Sequence, residues 1–151
     1  MEETKRFRPH EGGYRWDEVA LHAYKAEGAA PFKEITRQTL FKDASLAGEL
    51  RYFEIAPGGY STLERHEHVH AVMVLRGRGR CLVGNELRDL AALDLVAIPP
   101  MSWHQFRAGP DEPLGFLCMV DRERDRPQLP DTDDLAALKA DPAIAAFLGS
   151  D

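Results

Sequence analysis

The chain has 151 residues, 44% hydrophobic and 29% charged, which suits one folded core and is far from the polar signature of disorder. Its formal net charge of −6 works against a general affinity for phosphate backbones, which needs clustered Lys and Arg, so nucleic acid is not expected as a partner. No run of about 20 apolar residues marks a membrane span, and the opening MEETKRFRPHEGG lacks the apolar stretch of a secretory signal, so no membrane association and a cytoplasmic location are expected.

Residues 1–31 read as an N-terminal arm, in which Gly12-Gly13 and Gly28 flank a short patterned stretch over 16–21. From residue 32 onward, short stretches rich in β-branched and aromatic residues recur between turn signals, which favours an all-β sandwich or barrel over 32–121. Strands are predicted over 32–41, 49–56, 60–66, 70–76, 80–83, 86–90, 95–98, 104–107 and 114–120. Pro57-Gly58-Gly59, Gly77-Arg78-Gly79, Gly84-Asn85 and Pro99-Pro100 should end them, because glycine supplies positive φ and proline has no amide to donate. Cys81 and Cys118, far apart and outside any C-x-x-C pair, read as small apolar side chains within strands. The tip Arg76-Gly77-Arg78-Gly79-Arg80 and the mixed-charge run 121–127 read as solvated.

The remainder, 122–151, is a tail expected to hold two short helices within the same single domain. Asp131 or Thr132 can cap the first, through Ala140, and Asp141 followed by Pro142 suits a second through Leu148. Ala137, Leu138, Ile144, Phe147 and Leu148 would then dock on the barrel or on a second subunit.

Three of the six histidines, His66, His68 and His70, fall within Glu64-Arg65-His66-Glu67-His68-Val69-His70. A continuous strand would hold His66 and His70 about 13 Å apart at roughly 3.3 Å per residue, too far for one metal ion. A turn through Glu67-His68-Val69 removes the difficulty. Glu64 and His66 then share one side of a strand end, His70 returns on the neighbouring strand, and His68 is left at the tip, outside the ligand set.

These residues resemble the first motif of the cupin superfamily, with Gly58, Glu64-x-His66, His70 and Gly77 at the family's separations. Pro99-Pro100-Met101-Ser102-Trp103-His104 is similar to its second motif, keeping the proline and the histidine. Glutamate and histidine are exchanged in position, Glu64 standing where the family usually has its first histidine and His70 where it usually has glutamate. Met101 and Leu93 stand where glycines are usual, and Ala108 where asparagine is common.

The resemblance implies a double-stranded β-helix, the jelly-roll barrel, with one divalent transition metal held by Glu64, His66, His70 and His104, and pairing as a homodimer. Nitrogen and oxygen donors without thiolate suit Mn, Fe, Ni or Co, and Zn ranks lower because it tends toward a closed tetrahedron. By strand parity Val72, Val74 and Phe106 follow the ligands inward, which predicts a largely apolar substrate pocket. The expected partner is a small molecule that chelates through oxygen or sulfur. It would be turned over by a dioxygenase, decarboxylase or isomerase type of reaction, or, alternatively, held by a non-catalytic binding or sensing module.

Overall fold

Alternating side chains and glycine-rich turns produce a chain dominated by strands in the computed structural model, which describes residues 5–24 and 33–149. In order these are β1 (His10–Gly12), β2 (Arg15–Trp16), β3 (His22–Ala23), β4 (Lys33–Phe41), β5 (Gly48–Tyr60) and β6 (His70–Arg76). They continue with β7 (Gly79–Val83), β8 (Glu86–Leu90), β9 (Leu95–Ile98), β10 (His104–Ala108) and β11 (Leu114–Asp121), and the helices α1 (Thr132–Lys139) and α2 (Pro142–Leu148) follow. The expected strand start at Phe32 lies outside the described residues.

Every strand pairing is antiparallel, and β5 is the seam of the sheet. Its first part pairs with β4 on one side and β11 on the other, while Tyr60 at its far end pairs with Arg107 of β10. One wing therefore runs β4-β5-β11-β6-β9 and the other β8-β7-β10, joined through β5 into a curled jelly-roll barrel.

Strand parity fills the interior. Ile35, Phe53, Ile55, Val72, Val74 and Phe116 are buried together with Cys118, and both cysteines are free thiols buried in strands, as expected. Residues of the opposite parity face outward, where Met73, Leu95 and Met119 stay exposed while Tyr52 and Leu82 are covered. Tyr52 is roofed by the β1–β2 hairpin, with Tyr14 stacked at 5.7 Å and Trp16 edge-on at 5.2 Å between ring centroids. A Cβ on Gly115 would lie 1.9 Å from the Tyr52 hydroxyl, so only glycine fits beside that ring.

On the other wing Leu82 points out of β7 and is fully buried against Leu138, Ile144 and Phe147 of the two helices. The caps are those the sequence offers. Asp131 accepts from the Asp134 amide at 2.8 Å while Asp134 accepts from the Asp131 amide at 3.0 Å, and Asp141 caps α2 ahead of Pro142.

Two predicted elements differ. Pro57-Gly58-Gly59 does not end a strand, because β5 runs through it as a bulge: the register moves from Ile35↔Ile55 to Lys33↔Tyr60, and Gly58, at φ 74°, donates its amide to Gly109. Conversely, 60–66 is no strand beyond Tyr60. The amide of Phe106 is taken by the Ser61 hydroxyl at 2.9 Å instead of by a backbone carbonyl, and beyond the bond from the Ser61 amide to the Phe106 carbonyl the pairing along β10 is reduced to an isolated Glu64↔His104 bridge.

Candidate functional site

The irregular passage from Ser61 to Val69 lies where three histidines converge. His70 opens β6 between Ile98 and Val120, and His104 opens β10 beside Val83 and across from Glu64. His66 lies in the connecting loop, its carbonyl held by the Met101 amide at 2.7 Å. The loop bends at Glu67 and His68, as a turn between His66 and His70 requires.

One ring nitrogen from each of His66, His70 and His104 lies within 4.8 Å of the other two. Hydrogen bonds select which nitrogen each ring offers. Nδ1 of His66 lies 2.7 Å from the His68 carbonyl and Nδ1 of His104 lies 2.9 Å from the Ser102 carbonyl. A carbonyl can only accept, so both Nδ1 atoms carry the proton and both Nε2 atoms present a lone pair. His70 has the Cys118 thiol 3.4 Å from Nδ1, and its Nε2 is buried with no hydrogen-bond partner. An orphaned imidazole nitrogen inside a cluster of lone pairs is the arrangement a cation would satisfy.

Burial keeps the cluster neutral. Desolvation lowers the pKa of His104 to about 4 and that of His70 much further, with the neighbouring histidines adding to the effect. His66 is lowered as well, by desolvation first and then by His68. Neutral imidazoles are the form that coordinates a metal, so the donors need no deprotonation at neutral pH.

Glu64 lines the same cavity, but its carboxylate is not among the atoms gathered within 4.8 Å. Burial raises its pKa to about 7, against the pull of Arg51. His68 stacks on His66 with ring centroids 3.6 Å apart and planes 3° from parallel, and its Nδ1 lies 2.7 Å from an Asp125 oxygen.

Asp125 comes from the charged run read as solvated in the sequence. It accepts from the amides of Glu67 at 2.8 Å and His68 at 2.9 Å, and these bonds, the Glu67 amide foremost, hold its carboxyl well below the ordinary range. Gln128, just beyond this run, and Arg65 exchange backbone hydrogen bonds at 2.8 and 3.1 Å, so the segment from Asp125 to Gln128 is tied to the histidine loop at two points.

The histidines open into a cavity of about 600 Å³ lined by Val72 and Phe106, whereas Val74 is fully buried in the core and is not part of its wall. The pocket is not the largely apolar one that parity predicts, because Arg37, Arg51, Arg122, Arg124 and Arg126 also line it. Arg51 shares the inward parity of Phe53 and Ile55, and Arg37 that of Ile35, which is the signal that marks them.

Residues 51–120 match the family described as the cupin domain. The fold superposes with TM-score 0.88 on a cupin 2 conserved barrel domain protein from Rhodopseudomonas palustris, 58% identical over 93% of this chain and 97% of that one. The chain belongs to the cupin family. A cupin-2 domain structure from Rhodospirillum rubrum is 60% identical with TM-score 0.85, over 96% of this cupin and 97% of its counterpart. A curated relative from the same organism, 1-methylthio-D-xylulose 5-phosphate methylsulfurylase, is 62% identical over 142 residues, 94% of this cupin and 91% of that protein. Among the described residues of this cupin no helix is long and apolar enough to cross a membrane.

Proposed function

We propose that this cupin is a metal-dependent enzyme acting on a phosphorylated ketose that carries a methylthio group, of the kind named in its relative from Rhodospirillum rubrum. One divalent transition metal would be held by Nε2 of His66, His70 and His104, with Glu64 as the oxygen donor. The observation that carries the reading is the cluster itself: three neutral imidazoles within 4.8 Å, two with their outward nitrogens pinned to carbonyls and the third with a buried nitrogen that has no partner. Nitrogen and carboxylate donors suit Mn, Fe, Ni or Co better than Zn.

A methylthio ketose offers a carbonyl beside a thioether and a hydroxyl, the chelating pattern such a site favours. A metal bound there supplies Lewis-acid charge to the substrate carbonyl oxygen. The chain's own side chains do the rest. The stack of His68 on His66, locked by Asp125, fixes the entrance loop, and Val72 and Phe106 give the sugar's carbon chain a dry wall. In removal of the methylthio group the carbon–sulfur bond breaks with its electron pair left on the sugar and shared with the carbonyl, the methylthio sulfur forms a disulfide bond to the sulfur of a thiol acceptor, and the proton lost by that thiol ends on the carbon.

Two measurements test the proposal. Elemental analysis of protein purified without added metal should find close to one transition metal ion per chain. Incubation with 1-methylthio-D-xylulose 5-phosphate and a small thiol should release the methylthio group, followed by mass spectrometry. Ligand-induced thermal stabilisation without turnover would instead mark a non-catalytic binding module.

A further inference from the structure

We propose that Arg37 and Arg51 form an anion subsite in the cavity wall that receives the phosphate ester of the substrate. The assignment deepens the reading of the site as one for a ketose phosphate and rests on it.

Arg51 comes from β5, the seam of the sheet, and Arg37 from β4 beside it. In the β4–β5 ladder Arg37 lies opposite Phe53 and Thr39 opposite Arg51, so the two arginines sit diagonally on one face, and both line the cavity. A guanidinium is charged at every accessible pH, and burying it is costly unless its donors are satisfied. Yet the Nε atoms of both Arg37 and Arg51 are buried and make no hydrogen bond among the described residues. Arg51 as a whole is only 9% exposed, with its guanidinium 5.0 Å from the centroid of the Phe53 ring.

The nearby carboxylates do not cancel this charge. Glu49 approaches Nε of Arg51 at 3.6 Å but is shared with Arg124, which donates to it at 2.9 Å. Asp125 is committed to the Glu67 and His68 amides and the His68 ring. Glu64 lines the same cavity, and in the metal-loaded protein its carboxylate would be committed to the ion. A chain of net charge −6 thus gathers five arginines around one cavity against two acidic side chains in its wall. The Arg37 and Arg51 guanidiniums, each with a buried Nε that has no hydrogen-bond partner, match the oxygens of a phosphate monoester, which can accept from two guanidiniums at once.

The experiment is calorimetric titration of the metal-loaded protein with D-xylulose 5-phosphate, D-xylulose and inorganic phosphate, using the wild type, Arg37→Gln, Arg51→Lys and, as control, the surface variant Arg88→Gln. The phosphorylated sugar should bind the wild type more tightly than D-xylulose does. Arg37→Gln should weaken it on the order of 10- to 100-fold, while Arg88→Gln and the affinity for D-xylulose stay unchanged. Equal affinity of wild type and Arg37→Gln for the phosphorylated sugar would overturn the subsite. So would a wild type that does not distinguish the sugar from its phosphate, a comparison that needs no variant and therefore stands even if the substituted proteins misfold. Turnover of the methylthio sugar phosphate with unchanged KM in a folded Arg37→Gln would overturn the subsite alone. Arginine-dependent phosphate binding without any turnover would overturn the enzymatic reading and leave the subsite standing.

Discussion

Protons compete with a metal differently at the carboxylate and at the imidazoles. The reference pKa of histidine alone places the loss of metal near pH 6.5, but burial takes His104 down to about 4 and His70 further, so the rings stay neutral well into the acid range. Glu64 behaves in the opposite sense. Its carboxyl is raised to about 7, so with Glu64 as a ligand, binding must expel a proton at any pH below that value. Metal affinity should therefore fall about tenfold per pH unit on acidification below about 7. In Glu64→Gln it should be weaker but flat down to about pH 6.5, the ordinary histidine value below which all three rings are held. A wild-type profile as flat as that of the variant would remove Glu64 from the ligand set. Alanine substitution at His66 or His104 should abolish metal occupancy, whereas His68→Ala should keep most of it, because Nδ1 of His68 is engaged by Asp125 and the ring stands outside the group formed by His66, His70 and His104. Equal losses at all three positions, read by elemental analysis, would refute the assignment.

The turns carry their own record of the family pattern. Leu93 and Met101 stand where cupins usually have glycine, and both keep positive φ, 76° and 57°. The backbone conformation has been retained while the residue suited to it has not. A left-handed conformation costs a side chain about 1–2 kcal/mol, and the extra unfolded-state freedom of glycine returns about 0.4–1 of that. Leu93 is 73% exposed and loses little packing, so Leu93→Gly should stabilise the protein by roughly 0.5 kcal/mol, measured as a shift of the denaturation midpoint. A clear loss of stability would contradict the strain. Met101 is the less suitable position, since its amide holds the His66 carbonyl. Among the strands, 70–76, 86–90 and 95–98 stand where alternation and glycine punctuation place them. The passage over 60–66 was not readable, because a serine hydroxyl replaces a backbone partner and no local pattern announces that. The run 121–127 was not readable for a related reason: charge suggests solvent, and only the tertiary placement of Asp125 beside the Glu67 and His68 amides reveals a role at the site.

The barrel as a whole places polar donors in a dry centre, and its stability depends on what is bound there. In the metal-free protein the rise of Glu64 from 4.5 to about 7 favours folding under acid conditions, being fully expressed below 4.5 and lost as pH climbs to about 7. The fall of His104 from 6.5 to about 4 has the reverse sense and the same size, fully expressed above 6.5 and lost as pH drops toward 4. These two offset one another, which leaves His70 and His66, both lowered by burial, to set the direction. The melting temperature of the metal-free protein should therefore peak near pH 6.5–7 and decline on acidification toward pH 4, as the unfolded chain takes up protons that the folded histidines refuse. Saturating metal should raise the whole curve and steepen its acid limb, because a ligand that binds only the folded state adds stability that protons compete away. Calorimetric scans of both forms between pH 4 and 8 read these changes directly, and a metal-free protein that grew more stable toward pH 4 would show that Glu64, rather than the histidines, controls the centre of the barrel.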